Sequence, residues 1–339
     1  MSLHVFVPEA AREMEISRPI YPEALLNTPR PMANLALCLN GPAQENGQGL
    51  ISLDSRYLLP FSLAAVRLDV RQIIFTGSSP LEWPHLERAV ALFAGSVERL
   101  ALHCRAESGC AAAGCIARHL HEIAVFFEPL ADVNSAASLF ARLGADIAVL
   151  REARKDLYCR AILAVSGPML RSLTTMIELA DDAGIDRLEF FSPSMEYPRK
   201  GERNGDMTAA LFPSSAEIAE FRRNFWELLE EPLFQNRLFD LQITRRQLAR
   251  ILDWYDAESG ARSPEPPYCR APRSCFYVDP NGDIRCCPWQ GVYGHARQSL
   301  AGLQESAPLQ AWRAQISLEK EPLCLRCPGS FPHLLLRNR

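Results

Sequence analysis

Six short apolar runs, each followed by a helix-like stretch or a turn, constrain the fold more than any other feature of this chain. They are 34–39 (Asn-Leu-Ala-Leu-Cys-Leu), 71–76 (Arg-Gln-Ile-Ile-Phe-Thr), 97–103 (Val-Glu-Arg-Leu-Ala-Leu-His), 122–128 (Glu-Ile-Ala-Val-Phe-Phe-Glu), 159–165 (Cys-Arg-Ala-Ile-Leu-Ala-Val) and 185–191 (Ile-Asp-Arg-Leu-Glu-Phe-Phe). Their length and apolar character suit strands buried in a parallel sheet. Between them, 84–94 places Leu86, Val90 and Phe93 on one helical face. Residues 132–157 repeat Leu139, Leu143, Ile147, Leu150 and Leu157 at mostly three- or four-residue spacing, and 168–183 carry Leu170, Leu173, Ile177 and Ala180 before Gly184. Gly184 suits the residue just past a helix end. The alternation predicts an α/β fold with a parallel sheet, open or partly closed as a barrel, whose working end is the carboxyl end of the strands.

The rest of the chain divides around that body. Residues 1–32 hold Pro8, Pro19, Pro22, Pro29 and Pro31 and are expected to be an extended arm. The α/β body covers 33–212. Two linking helices follow in 213–261, the first with Ile218, Phe221, Phe225 and Leu228 on one face and the second with Leu248, Ile251 and Leu252. A Pro/Gly/Ser-rich stretch at 257–268 leads into a C-terminal module, 262–339.

Charge and composition exclude several classes. The 339 residues carry 36 Lys+Arg against 40 Asp+Glu, so no basic footprint of a nucleic-acid binder is present. The balance is uneven: 262–339 hold 10 Lys+Arg and 6 Asp+Glu, a net of +4, which leaves −8 for the remainder. No run of about 18 consecutive apolar residues occurs, so no membrane span is expected. The start, Met1-Ser2-Leu3-His4, lacks a signal-peptide pattern, and the expected compartment is the cytoplasm. There, disulfides are not the default use of 11 cysteines. No P-loop, Gly-x-Gly-x-x-Gly or Gly-x-Ser-x-Gly motif is present.

Six of the eleven cysteines lie within the last 71 residues. Tyr277-Val278 and Asp283-Ile284 flank Asp279-Pro280-Asn281-Gly282, a hairpin pattern with glycine in the turn. Such a hairpin brings Cys269 towards Cys287, while Cys324-x-x-Cys327 supplies two thiols from one loop. Four soft thiolates suit tetrahedral zinc or an iron–sulfur cluster, and the chemistry alone does not choose.

The order Cys269, Gly282, Cys287 and then Cys324-x2-Cys327, with Gly291, Trp312 and Arg313 in between, resembles the SPASM/twitch domain. That is the auxiliary iron–sulfur module of radical S-adenosylmethionine (radical SAM) enzymes. The resemblance spans about residues 33–330. It implies a partial (β/α)6 radical-SAM-like barrel followed by a small C-terminal SPASM/twitch domain. By that resemblance the ligands of one [4Fe–4S] cluster are Cys269, Cys287, Cys324 and Cys327. Cys286 is an alternative to Cys287, and two-cluster relatives use a cysteine placed like Cys275. Zinc at the same four thiols is the bland alternative.

The body departs from the radical SAM pattern at two places. Where that family has Cys-x3-Cys-x2-Cys after its first strand, this chain has Cys38, Pro42 and Glu45. One thiol cannot hold the three irons of the SAM cluster. Where the family has Gly-Gly-Glu-Pro, this chain has Gly77-Ser78-Ser79-Pro80, without the carboxylate. Two losses at one function imply a degenerate core that does not use SAM and has no catalytic residues of its own. The expected role is that of an accessory protein, passing electrons or presenting a substrate to an active radical SAM/SPASM partner in peptide or protein modification. The competing enzyme reading places a noncanonical cluster on Cys104, Cys110 and Cys115. Against it, positions 110 and 115 lie about 140° apart on a helix, in a small-residue segment where cysteine packs as an apolar side chain. By the same resemblance Ser192-Pro193-Ser194 lie where relatives contact the adenosine, and they read equally well as an ordinary loop. His103, His119 and His121 lack zinc-site spacing.

Overall fold

A computed structural model describes residues 34–42, 50–128, 132–191, 213–230, 241–263, 274–287 and 291–316. Five of the six predicted runs become consecutive strands of a parallel ladder, β4 (Gln72–Thr76), β5 (Arg99–Arg105), β6 (Glu122–Phe127), β7 (Tyr158–Ala164) and β8 (Arg187–Phe191), and the first run becomes β1 (Asn34–Cys38) beside β4. A short hairpin, β2 (Asn40–Pro42) and β3 (Leu50–Ser52), follows β1 directly. The β1–β8 connections carry α1 (Leu58–Arg67), α2 (Leu86–Phe93), α3 (Val133–Ala153), α4 (Gly167–Arg171) and α5 (Leu173–Asp182).

Strand periodicity sorts the side chains by face. Leu35, Leu37, Ile73, Phe75, Leu100, Leu102, Ile123 and Val125 join Phe61, Phe93 and Phe140 in the main core on the helix-covered side. The opposite, inner face carries smaller residues. Ala36, Ile74 and Ala101 form one apolar cluster there, and Ala124, Ile162, Ala164 and Phe191 form another. Helix α3 is long and apolar enough to cross a membrane by length and composition. Here Ala136, Phe140, Leu143, Ile147 and Leu150 bury its core-facing stripe, as a core helix does.

Local chemistry fixes the element ends. The Asp132 carboxylate accepts the Ser135 N–H at 2.8 Å and caps α3. Gly184, at φ +70°, closes α5 in the left-handed conformation that glycine takes without strain. The 213–256 region forms two helices, α6 (Ser215–Glu230) and α7 (Leu241–Glu258). Tyr255 on α7 donates its hydroxyl to the Val165 carbonyl just beyond β7, at 2.5 Å.

The predicted hairpin is present as β9 (Cys275–Val278) and β10 (Asp283–Arg285). Asp279 organises its turn by accepting the N–H groups of Asn281 and Asp283, both at 3.0 Å. The hairpin is not a separate knob. β9 pairs in parallel with β1, and β10 pairs with β11 (Gly294–His295), so the sheet has nine strands in the order β11-β10-β9-β1-β4-β5-β6-β7-β8. The helices α8 (Leu300–Glu305) and α9 (Ala307–Gln315) complete the described part of this region. All described residues fall in one compact unit.

Candidate functional site

At the carboxyl ends of β1 and β4 the chain closes on itself. Asn40 accepts the Ser79 N–H through Oδ1 at 2.9 Å and donates Nδ2 to the Ser79 carbonyl at 2.5 Å. Its backbone carbonyl accepts the Ser78 N–H at 3.0 Å. Cys38, buried on the inner face, turns its Sγ to the same Asn40 carbonyl at 3.5 Å. Gly77 fits beneath this clasp only because it lacks a side chain: a Cβ there would lie 2.6 Å from Asn40 Oδ1 and 2.7 Å from Asn40 O.

This is where the Cys38/Pro42 and Gly77–Pro80 departures fall. Position 42 lies in a strand, paired with Leu50, rather than in an open loop. Glu45 lies outside the described residues. The loop groups of Ser78 and Ser79 are spent on Asn40, and one thiol stands where three are needed. The residues present do not fit a SAM-binding cluster at this end of the sheet.

A row of charge lies deeper on the inner face. Glu122 and Glu189 flank Arg160, which binds Glu122 closely and Glu189 at 2.8 Å. Arg187 reaches Glu189 at 3.0 Å, Arg99 reaches Glu122 at 3.1 Å, and His103 Nε2 stands 4.0 Å from the Glu122 carboxylate. Burial pulls the Arg160 pKa down, but the Glu189 and Glu122 carboxylates outweigh it and hold the guanidinium above its usual range. Five of these residues, His103, Glu122, Arg160, Arg187 and Glu189, are buried. The row spans β5 to β8 on the inner face.

The three cysteines of the noncanonical-cluster reading are not gathered. Cys104 joins the helix-side core, while His103 and Arg105 take the alternate positions of β5. Cys110 is buried beside Asp146, whose carboxylate accepts its N–H at 2.6 Å. Cys115 is exposed. The intervening segment is a 3-10 turn, Ala111–Ala113, and one helical turn, Gly114–Ala117. Burial, then Asp146, pushes the Cys104 thiol up to about 12. Burial, then Cys104, then Asp146 pushes Cys110 higher still. Cys159 packs in the core beside Leu157, its thiol pushed up to about 12 by burial. Among the described residues, no three His, Cys, Asp or Glu side chains form a metal-holding group.

Of the C-terminal ligand candidates, Cys269, Cys324 and Cys327 lie outside the described residues, as do Ser192-Pro193-Ser194. Cys287 lies two residues past the end of β10 and is half-buried. Its neighbour Cys286 is fully buried in the main core, 4.0 Å from Arg313, with its thiol raised to about 11 by burial. Cys275 is also fully buried and opens β9, 3.8 Å from the Asn34 amide. Arg313 lies over the Phe276 ring, and Trp312 packs on Tyr293. Among the described cysteines of this module, Cys287 alone is accessible from outside.

No protein-family model and no curated protein matches the sequence. Solved structures do. Streptococcus suis SuiB bound to its precursor peptide SuiA superposes with a TM-score of 0.57 at 11% identity, over 89% of this chain and 70% of that one. SuiB bound to S-adenosylmethionine gives 0.54 at 12% identity, over 89% and 69%. The anSMEcpe protein with bound AdoMet and the Cp18Cys peptide gives 0.56 at 11% identity, over 88% and 89%. The chain has a radical SAM-type fold. At this identity the likeness is one of fold.

Sequence reasoning missed Asn40 and the inner-face charges. Asn40 sits in a stretch with no motif of its own. Glu122, Arg160, Arg187 and Glu189 were visible as polar interruptions of otherwise apolar runs.

Proposed function

We propose that this chain is a SPASM-type iron–sulfur protein with a radical SAM-type barrel that no longer handles SAM. It acts as the accessory partner of an active radical SAM enzyme in peptide or protein modification, by passing electrons or presenting the substrate. The observation that carries this reading is the Asn40–Ser79 clasp, which fills the mouth between β1 and β4 with the chain's own hydrogen bonds.

The peptide class is supported by the fold neighbours, since SuiB and anSMEcpe were each solved with a peptide. Cys269, Cys287, Cys324 and Cys327 would hold the auxiliary [4Fe–4S] cluster, whose chemistry is one-electron transfer. The accessibility of Cys287 and the burial of Cys275 and Cys286 favour that set over the alternatives. A reducing, cytoplasmic setting suits thiolate ligation.

The test is anaerobic reconstitution followed by SAM and dithionite, with 5′-deoxyadenosine quantified. The reading expects an iron-loaded, coloured protein that makes none by itself and forms a stable complex with an active radical SAM enzyme. A colourless zinc protein, or SAM cleavage by the chain alone, overturns it.

A further inference from the structure

Helix α1 is apolar on two faces. Leu58, Phe61, Ala64 and Ala65 are buried in the core, while Leu59, Leu63 and Val66 are 57, 65 and 62% exposed. Their i, i+4, i+7 spacing places these three on one stripe. They are three of the five large hydrophobic side chains exposed among the described residues. Scattered exposed leucines are ordinary, but a contiguous stripe marks an interaction surface.

Beside the stripe a groove of about 500 Å³ runs between α1 and α2, lined by Leu58, Leu59, Ala91 and Leu92. Its charged lining residues are Arg56 and Arg88, both cationic. Arg56 is held by Asp54 at 2.5 Å. Arg88 is exposed on α2 and makes no ion pair among the described residues.

We propose that this face docks an amphipathic helix of another protein, with acidic residues beside its apolar stripe. Leu59, Leu63 and Val66 supply a ridge for helix packing, and the groove accepts the partner's side chains. Arg88 selects the acidic flank and sets the direction of the docked helix. The surface lies on the helix-covered side of the sheet. Helix α1 also touches the C-terminal module, through Arg67 with Glu305 and Tyr57 with His295, but neither the stripe nor the groove contains a cysteine.

The experiment uses the full chain and two labelled designed helices with the same leucine stripe, one flanked by Glu and one by Lys. Fluorescence anisotropy reads their affinities. The Glu-flanked helix is expected to bind about tenfold more tightly than the Lys-flanked one, a difference of about 1.4 kcal/mol. Leu63→Asp abolishes binding of both, and Arg88→Glu reverses the preference. Both changes are at exposed positions, so the fold is retained, checked by circular dichroism. Equal affinities, binding indifferent to Leu63→Asp, or no binding overturns the proposal. So does sedimentation of the wild type as a dimer that Leu63→Asp dissociates, which assigns the stripe to a second copy. Co-sedimentation with phosphatidylglycerol vesicles, lost in Leu63→Asp, assigns it to a membrane surface instead. Each readout is independent of iron content and of SAM cleavage, so failure here is distinguishable from failure of the proposed function.

Discussion

Asn40 holds Ser79 by both of its amide groups, accepting its N–H at 2.9 Å and donating to its carbonyl at 2.5 Å. The two residues lie at the ends of adjacent parallel strands, β1 and β4. The half-buried backbone N–H and C=O of Ser79 find their partners within the chain. The mouth of the barrel is thus satisfied by its own sequence.

Asn40→Ala leaves both Ser79 groups and the partly buried mouth without partners. The expected cost is about 2 kcal/mol. Urea denaturation, with the midpoint lowered at an unchanged slope, checks this.

Gly77→Ala meets the same clasp from the other side. At φ +150° its new Cβ falls 2.6 Å from Asn40 Oδ1. The expected loss is about 2 kcal/mol or more. In an Asn40→Ala background the cost shrinks but persists, because the Asn40 backbone oxygen remains 2.7 Å away. A double-mutant cycle reads this coupling. Strict additivity would refute the clasp.

Arg160→Met removes the shared partner of two buried carboxylates, Glu122 and Glu189. The expected destabilisation is about 3 kcal/mol. Arg187 and Arg99 still face Glu189 and Glu122, so adding Glu189→Gln destabilises further by removing the carboxylate partner of Arg187. Thermal melting of the single and double variants checks this.

Alkaline pH also weakens the fold. The Cys104 and Cys159 thiols are pushed up to about 12 and Cys286 to about 11, chiefly by burial, from an ordinary thiol value of 9.0. Between those limits the folded protein keeps protons that the unfolded chain releases. Stability is therefore fully present below about pH 9 and falls as pH rises towards 12, by about 1.4 kcal/mol per pH unit for each such thiol. Denaturant titrations at stepped pH measure the slope. Below pH 9 an alkylating reagent labels exposed Cys115 and spares Cys104, Cys110 and Cys159 until the protein unfolds.

The ladder was legible because each strand alternates one uniformly apolar face with a mixed one. The expected run 122–128 and the observed Glu122–Phe127 differ by one residue. The hairpin was also legible from Asp279-Pro280-Asn281-Gly282. Its parallel pairing with β1 was not, because a pairing across 241 residues, such as Asn34 with Cys275, leaves no local pattern. Helix 168–183 was expected as one element and is broken at Ser172 into α4 and α5. Cys104 lies at the carboxyl end of β5, but strand parity sends its thiol to the helix side, and parity is fixed by register rather than composition.

The most direct test of the central claim is iron and sulfide per chain after anaerobic reconstitution, in the wild type, Cys324→Ala, Cys287→Ala, Cys286→Ala and the triple change Cys104/Cys110/Cys115→Ala. One [4Fe–4S] cluster on the C-terminal thiols predicts about four irons in the wild type, Cys286→Ala and the triple variant, and loss of iron in Cys324→Ala and Cys287→Ala. About eight irons in the wild type, falling to about four in the triple variant, would contradict it and establish a second cluster in the barrel.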